Sequence, residues 1–474
     1  MGFSPHLGSD PGPHRREGRR LTQRTMVWCV SLCVLFSLVV VGIWYGVRTV
    51  TPQPLPLGTG TNPASAVTVQ QAISLPASGR EPVIGVVATF GDDAEGSAWR
   101  LNAQGARVAQ YRLALGNSSV KVLYANDKGT EQGAREAVEK LSSEGALGIV
   151  LASQGEHLRG ATAAAKERNV AVIETYDRVD TGDGVWSFAL DPEQEKQVYT
   201  AAIRSLAGVS STGSSQQQDG VRTILLDAGE GSVPDLPYTN RVQVSADEDS
   251  MKDTLKELTR LLGDKSSGSS PILVLAGSAS TQAKVLRSLQ RAGITSPVIA
   301  GEEALTEPFT RLLLENGGSL TDNIRVVGRM QARAAALSAD DDGRASSAFV
   351  STVERMKNDS SLKDLSGEQA FSNSAAWADA PSHNALLAFA YATSRVREYT
   401  PDAVRRVLGT LRLDAKDSTV AYPLDFSSSY AAGGQVGLLY PTADASMIQG
   451  GSSSADAVNP PVWMLRTFTS ESRD

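Results

Sequence analysis

Residues that could carry metal or nucleophilic chemistry are scarce in this chain of 474 residues. Its four histidines, His6, His14, His157 and His383, form no H-x-x-H or H-E-x-x-H pattern, so the spacing that places two imidazoles on one metal ion is absent. No G-x-S-x-G turn occurs, and only two histidines lie beyond the N-terminal tail, which leaves few options for a Ser–His–acid triad. Residues 90–96 (FGDDAEG) lack the G-x-G-x-x-G pattern that holds a dinucleotide. We therefore expect no enzyme, no metal and no cofactor.

The cysteines and the net charge narrow the possible partners. Cys29 and Cys33 both lie within one apolar segment, so the chain beyond it has no disulfide and no thiolate chemistry. The formal net charge is -7 at pH 7 although the N-terminal tail is basic, so the remainder is more acidic still. This balance argues against nucleic acid or anionic lipid headgroups as partners of the body.

The apolar segment at residues 26–47 carries no charged side chain and predicts a membrane anchor. At ~1.5 Å per residue, a helix of this length covers the ~30 Å hydrocarbon core of a bilayer. The tail at residues 1–25 is rich in arginine, so the positive-inside rule places it in the cytoplasm and the body outside the cell membrane, extracellular or periplasmic. A cleaved signal peptide is the alternative, although its apolar run would span only about 7–15 residues. A lipid-anchored cysteine is a third possibility, but both cysteines lie in mid-segment.

Alternating apolar runs and helical patterns predict an α/β body after a Pro/Gly/Ser-rich linker at residues 48–80. Strand and helix alternate through residues 81–190, a first lobe, and the pattern restarts through residues 191–328, a second lobe. We expect residues 329–412 to return to the first lobe and residues 413–474 to complete the second with C-terminal strands. Two such lobes usually bind a small ligand between them, at the carboxyl ends of the strands.

Four stretches lack a clear periodic pattern. Residues 208–220 and 265–270 are polar and of low complexity, and residues 335–347 and 358–374 are irregular. We interpret all four as solvated insertions.

The order of these elements resembles that of type I periplasmic binding proteins, nearest to the branched-chain amino acid receptors of ABC transporters. Residues 84–89 and 105–109 resemble the first strand and helix of that family, and residues 125–138 resemble its "D-x-x-x-D-P-x-x-A-x-x-A" helix. Residues 286–301 (LRSLQRAGITSPVIAG) resemble a second-lobe segment, and residues 422–426 (YPLDF) resemble a late one. The resemblance covers residues 81–470 and implies a two-lobed fold of two doubly wound parallel sheets. It also implies hinge closure on an amino acid or similar small polar ligand, which is delivered to a permease.

The same resemblance places six candidate ligand-binding residues at strand ends: Ser153, Gln154, Thr175, Tyr176, Ser278 and Glu303. In the family, hydroxyls and backbone N–H groups at the first of these positions hold a ligand carboxylate, and an acid at the last pairs with a ligand ammonium. Each residue also has a structural interpretation: Ser153 as a helix cap, Tyr176 as loop packing and Glu303 as part of a solvated acidic loop. We expect His157 to lie on the surface.

Departures from the family pattern leave two functions open. The ligand loops are rewritten, and Pro234 and Pro237 exclude the helix that the family places between residues 226 and 242, so one layer of the second lobe is missing. The first hypothesis is a membrane-anchored solute-binding protein that serves an ABC importer or a sensor. The alternative is a degenerate binding fold that acts as a scaffold or interaction module for envelope proteins, such as cell-wall machinery. Neither hypothesis involves nucleic acid.

Overall fold

The first lobe is built on a five-stranded parallel sheet. The computed structural model describes residues 71–76, 80–91, 94–208, 221–245, 247–263, 270–320, 323–442 and 459–467. The strands of the sheet are β1 (Val83–Ala88), β2 (Lys121–Asn126), β3 (Gly148–Leu151), β4 (Ala171–Glu174) and β5 (Val185–Ser187). Their order is β2-β1-β3-β4-β5. This order places a topological switch point between β1 and β3, where the crevice of a doubly wound sheet opens at the carboxyl ends of the strands.

Helices cover both faces of this sheet because its strands are apolar on both sides. The helices of the first pass are α1 (Gly105–Leu115), α2 (Glu131–Ser143) and α3 (Leu158–Glu167). Val87 and Leu151 face α2 and α3, whereas Val86 and Val150 face α1. Thr130 begins α2 as its N-cap, since its side chain accepts a hydrogen bond from the N–H of Gly133.

The second lobe repeats the same strand order. Its elements up to the return of the chain are α4 (Pro192–Leu206), β6 (Thr223–Asp227), β7 (Asn240–Gln243), α5 (Glu248–Gly263), β8 (Ile272–Ala276), α6 (Ala279–Arg291), β9 (Val298–Ala300), α7 (Glu307–Glu315) and β10 (Ile324–Arg329). The chain then returns to the first lobe with α8 (Ala332–Ala335), α9 (Asp341–Lys357), α10 (Ala380–Arg395), α11 (Pro401–Leu408), β11 (Arg412–Leu413) and β12 (Leu424–Asp425). Strands β13 (Val436–Pro441) and β14 (Trp463–Arg466) complete the second sheet, in the order β14-β13-β10-β9-β8-β6-β7. Both of these late strands pair antiparallel, and the remaining five are parallel.

No helix stands between β6 and β7, as Pro234 and Pro237 predict. The connection runs as an extended segment at residues 228–239. Leu236 is buried with α4 against the sheet face that a crossing helix would cover. The hydroxyl of Tyr238 donates to the carbonyl of Pro234 (2.8 Å), which closes the segment on itself.

Two expectations about the chain's return to the first lobe are wrong. Residues 335–347 are not an irregular insertion, because α9 begins at Asp341, capped by the Asp340 carboxylate on the N–H of Gly343 (2.7 Å). Residues 413–432, assigned to the completion of the second lobe, contribute Val420 and Phe426 to the first-lobe core. The chain rejoins the second sheet only at β13.

The predicted tail at residues 1–25, transmembrane helix at residues 26–47 and most of the linker at residues 48–80 lie outside the described residues. In the described part of the chain, no helix is both long and apolar enough to cross a bilayer. The end of the linker is described, and Ile73 is buried against the first lobe, where its N–H donates to the carbonyl of Arg112 (3.0 Å).

One arginine on the second passage of the chain between the lobes bonds to the first and the third passages. Arg329, at the end of β10, donates from its guanidinium to the carbonyl of Phe188 (2.7 Å) on the first passage. It also donates to the carbonyls of Ala432 (2.8 Å) and Gly433 (3.1 Å) on the third. Burial lowers the pKa of Arg329 from its ordinary value. The three hydrogen bonds satisfy this half-buried cation.

We expect R329A to lower the free energy of unfolding by about 3 kcal/mol or more, because it leaves three carbonyls without their donor. R329K, which cannot span the three acceptors, should recover only part of that loss. Urea unfolding of the body measures both. R311A is the matched control, since the pairs of Arg311 with Glu307 and Glu315 lie within one helix on the surface and should contribute about 1 kcal/mol or less. An R329A cost no larger than that of R311A would contradict the assignment.

Candidate functional site

The six predicted residues all lie at carboxyl ends of neighbouring parallel strands. Ser153 and Gln154 follow β3, and Thr175 and Tyr176 follow β4, directly beside it in the first sheet. In the second sheet, Ser278 follows β8, and Glu303 follows β9. The structure therefore brings each lobe's candidates together at one edge of a sheet, next to its switch point.

Ser153 belongs to a buried polar network at the switch point of the first sheet. Its Oγ lies 2.6 Å from Oγ1 of Thr89, which donates to Oδ1 of Asp127 (2.6 Å). It also lies 3.4 Å from Nε2 of His157. Ser153 itself is fully buried. Its hydroxyl therefore bonds to other buried side chains and does not cap a helix.

His157 is the centre of this network, and the expectation of a surface residue is wrong. The imidazole is buried between two carboxylates, with Nε2 3.2 Å from Oδ2 of Asp127 and Nδ1 3.0 Å from Oε2 of Glu95. Burial acts to lower the pKa of His157, but hydrogen bonds and charge from both acids outweigh it and raise the pKa above its usual value. The charged imidazolium is therefore favoured here.

The backbone N–H groups that precede α3 bind carboxylates of the chain itself. The N–H of Gly155 donates to Oδ2 of Asp177 (2.7 Å), and the N–H of Glu156 donates to Oε1 of Glu95 (3.0 Å). Gly155 has φ +135, and a Cβ there would lie 2.5 Å from the carboxyl carbon of Glu95. The donors that the family resemblance assigns to a ligand carboxylate are thus occupied by side chains.

An aromatic stack covers the strand ends beside these donors. The rings of Trp99 and Tyr176 are parallel, with centroids 4.2 Å apart. Nε1 of Trp99 donates to Oε1 of Gln154 (2.8 Å), and the hydroxyl of Tyr176 donates to Oδ2 of Asp379 (2.8 Å). Burial raises the pKa of Asp379 to about 7. The hydroxyl of Thr175 donates to the carbonyl of Leu151 (2.9 Å), so it too is used internally.

The second lobe contributes a buried acid. Glu303 is 8% exposed and accepts a hydrogen bond from Nε2 of Gln282 (2.9 Å). Burial raises its pKa to about 7 and that of the adjacent Glu302 to about 8. Within the described residues no ion pair to Glu303 is formed, and Asp177 of the first lobe raises its pKa further. Ser278 serves as the N-cap of α6, accepting from the N–H of Thr281.

Sequence reasoning missed the partners that fill the site, among them Glu95, Trp99, Asp127 and Asp177. Asp127 directly follows β2 and could have been found as a strand-end residue at the switch point. Glu95 and Trp99 lie in the loop after β1 and carry no periodic signal. Their role depends on contacts with residues 61 and 55 positions away along the chain.

We expect replacements of the two body histidines to show opposite pH dependence. The raised pKa of His157 means that its charged form stabilises the fold below about pH 6.5, and this contribution is lost as the pH rises through the folded pKa. Burial and the charge of Arg112 hold the pKa of His383 well below its usual value, so its contribution is present above about pH 6.5 and lost as the pH falls. The cost of H157Q should therefore shrink, and that of H383Q should grow, from pH 5.5 to 8.5.

Urea unfolding across this range measures both costs. Equal slopes for the two variants would contradict the assignment of His157 as a charged group between two acids.

The chain was compared with known proteins. No protein-family model matches it, and no curated protein matches its sequence. Solved structures do match. A substrate-binding protein of an ABC transporter from Desulfitobacterium hafniense, in complex with Leu, is 14% identical over 77% of this chain and 98% of its own, with a TM-score of 0.52. The leucine-binding protein LivK from Thermotoga maritima is 14% identical over 77% and 97%, with a TM-score of 0.53.

A third structure, a possible leucine/isoleucine/valine-binding protein from Rhodopirellula baltica, is 13% identical over 80% of this chain and 96% of its own, with a TM-score of 0.51. The likeness extends over nearly the whole length of each of these proteins and includes both lobes. The chain has the two-lobed α/β fold of type I periplasmic binding proteins, as its sequence predicts.

Proposed function

We propose that this protein is a non-enzymatic solute-binding protein that holds a small polar, amino acid-like ligand between its lobes for an ABC importer or a sensor. One observation carries the proposal. Glu303 is a buried acid without a cationic partner among the described residues, and it lies at a strand end of the second lobe. The negative charge of Asp177, at a strand end of the first lobe, contributes to the raised pKa of Glu303. A buried carboxylate of this kind favours a ligand ammonium as its counter-ion.

Structures similar to this chain support the same class of function. One of these proteins is described in complex with Leu and another as leucine-binding. At their low identity this likeness reports the fold, so the ligand is proposed from Glu303 and not from the neighbours.

A thermal-shift screen of the body with amino acids, small amides and amines tests the proposal, since a ligand that binds only the folded state raises its stability. We expect E303Q to weaken the response about tenfold or more, because it removes a charged hydrogen bond to the ligand. The affinity of the wild type should rise from pH 6 to pH 8 as Glu303 ionises, in line with its pKa of about 7.

Two controls accompany this screen. Without ligand, E303Q should be at least as stable as the wild type at pH 8, because an acid with a raised folded pKa loses stabilisation as the pH passes that pKa. E315Q is the matched variant, since Glu315 is an exposed acid that pairs with Arg311 on α7. If no compound of the panel raised the melting temperature of the wild type, the solute-binding proposal would be contradicted.

A second candidate function is an envelope scaffold or interaction module. The observation that favours it is the internal occupation of the Gly155 and Glu156 N–H groups by the carboxylates of Asp177 and Glu95. We propose for either function that residues 26–47 anchor the chain in the cell membrane with the body outside.

Crosslinking on intact cells, followed by membrane fractionation, separates the two functions. An ABC permease among the crosslinked proteins supports the solute-binding function, and other envelope proteins without a permease support the scaffold. Release of the body into the medium would contradict the anchor.

A further inference from the structure

The Glu95 carboxylate occupies a complete anion site in the first lobe. Oε1 accepts from the N–H of Glu156 (3.0 Å), and Oε2 lies 3.0 Å from Nδ1 of His157, whose charged form the network favours. One carboxylate therefore takes a backbone donor and a charged side-chain donor at once. This arrangement is the one that a bound carboxylic acid would adopt in the same place.

The backbone on both sides is shaped for this occupant. Gly96 has φ +86, and a Cβ there would lie 2.1 Å from Oγ of Ser153. Gly155 approaches the Glu95 carboxyl carbon so closely that a Cβ would lie 2.5 Å from it. Both positions require glycine. Together they allow the loop after β1 to bring the Glu95 carboxylate into contact with the residues that follow β3.

The occupant could nevertheless leave. The Glu95 side chain is 49% exposed, whereas His157 below it is almost fully buried. Moving Glu95 outward would uncover the donors without opening the hydrophobic core. The other acid nearby, Asp177, bonds a different donor, the N–H of Gly155, and would stay in place.

We propose that Glu95 determines specificity by acting as a built-in substitute for a ligand carboxylate. This inference rests on the proposed solute-binding function and names its ligand class. The ligand is an amine or amide that pairs with Glu303 and carries no free carboxylate at its first-lobe end. A zwitterionic amino acid would have to displace Glu95 and would bind more weakly.

Chemical rescue of E95A with acetate tests the occupancy directly. E95A should melt below the wild type, and acetate should raise its melting temperature by about 2–4 °C above a chloride control of equal ionic strength. The rise should be larger at pH 6 than at pH 8.5, because His157 must be charged, and the acid facing it from β2, Asp127, keeps it so. Neither the wild type nor E156A should show an acetate-specific rise; Glu156 is an exposed acid that pairs with Arg159.

A folded E95A without this rise, or an equal rise in the wild type, would overturn the proposal. If E95A does not fold, E95Q replaces it: the amide keeps a hydrogen bond to Glu156 but removes the charge, so NMR should show a lower His157 pKa than in the wild type. An unchanged His157 pKa in E95Q would overturn the proposal as well.

Leucine and leucinamide, which differ only at the carboxyl group, test the ligand class. The wild type should bind leucinamide at least tenfold more tightly than leucine, and E95A should lose that preference. A wild-type preference for leucine would overturn the inference. If neither probe stabilises the wild type, the solute-binding function fails for this pair of probes, while the acetate result still decides whether Glu95 fills a carboxylate site.

Discussion

The Arg329 guanidinium is the interaction on which the two-lobed arrangement depends. The chain passes between the lobes three times, and the first and third passages present backbone carbonyls to Arg329 on the second. One planar cation with several donors can satisfy them together, and Arg329 does so at Phe188, Ala432 and Gly433. A half-buried cation is costly unless it is hydrogen-bonded, so the same contacts that stabilise Arg329 also fix where the passages run.

With the passages fixed, the polar residues of the candidate site lie together at strand ends. Both sheets share one strand order, so each has its switch point at the same edge, the edge where the carboxyl ends meet. In the first lobe, Thr89, Asp127 and Ser153 follow three adjacent strands and bond to one another there. In the second lobe, Glu303 accepts a hydrogen bond from the neutral amide of Gln282 and forms no ion pair among the described residues. The residues of this first-lobe network bond to one another, whereas Glu303 has no ion-pair partner among the described residues, which is why the inferred ligand carries its charge toward Glu303.

The parts of this fold that are set by local pattern could be predicted from the sequence. The run of β-branched residues at β1 indicates a doubly buried strand, and Pro234 with Pro237 excludes a helix wherever the surrounding chain lies. Helix α9 was missed because its N-terminal half, residues 341–347, is polar and small, so it offers no apolar stripe. Its burial comes from Ala345 and Phe349 packing on the first lobe, a tertiary contact that periodicity does not report.

The candidate site likewise has residues that the sequence could place and residues whose burial depends on tertiary contacts. Strand-end positions such as Ser153 and Glu303 could be placed from the sequence through its family resemblance. The burial of His157 could not, because its local sequence is a polar loop and its two acids come from β2 and the loop after β1, 30 and 62 positions away. A charged network of this kind is a property of the folded structure, and no short window of residues contains it.

The extended segment that stands in place of a helix between β6 and β7 also borders the candidate site of the second lobe. Without a helix between β6 and β7, the extended segment must turn back at once, and it does so through Gly229 and Gly231, both with positive φ. A Cβ at Gly231 would lie 3.1 Å from Oε1 of Glu303, so this turn borders the buried acid directly. The segment that keeps Leu236 on the sheet face in place of a helix therefore also forms a wall beside Glu303. The segment that keeps the core of the second lobe covered therefore also determines which backbone lies beside Glu303.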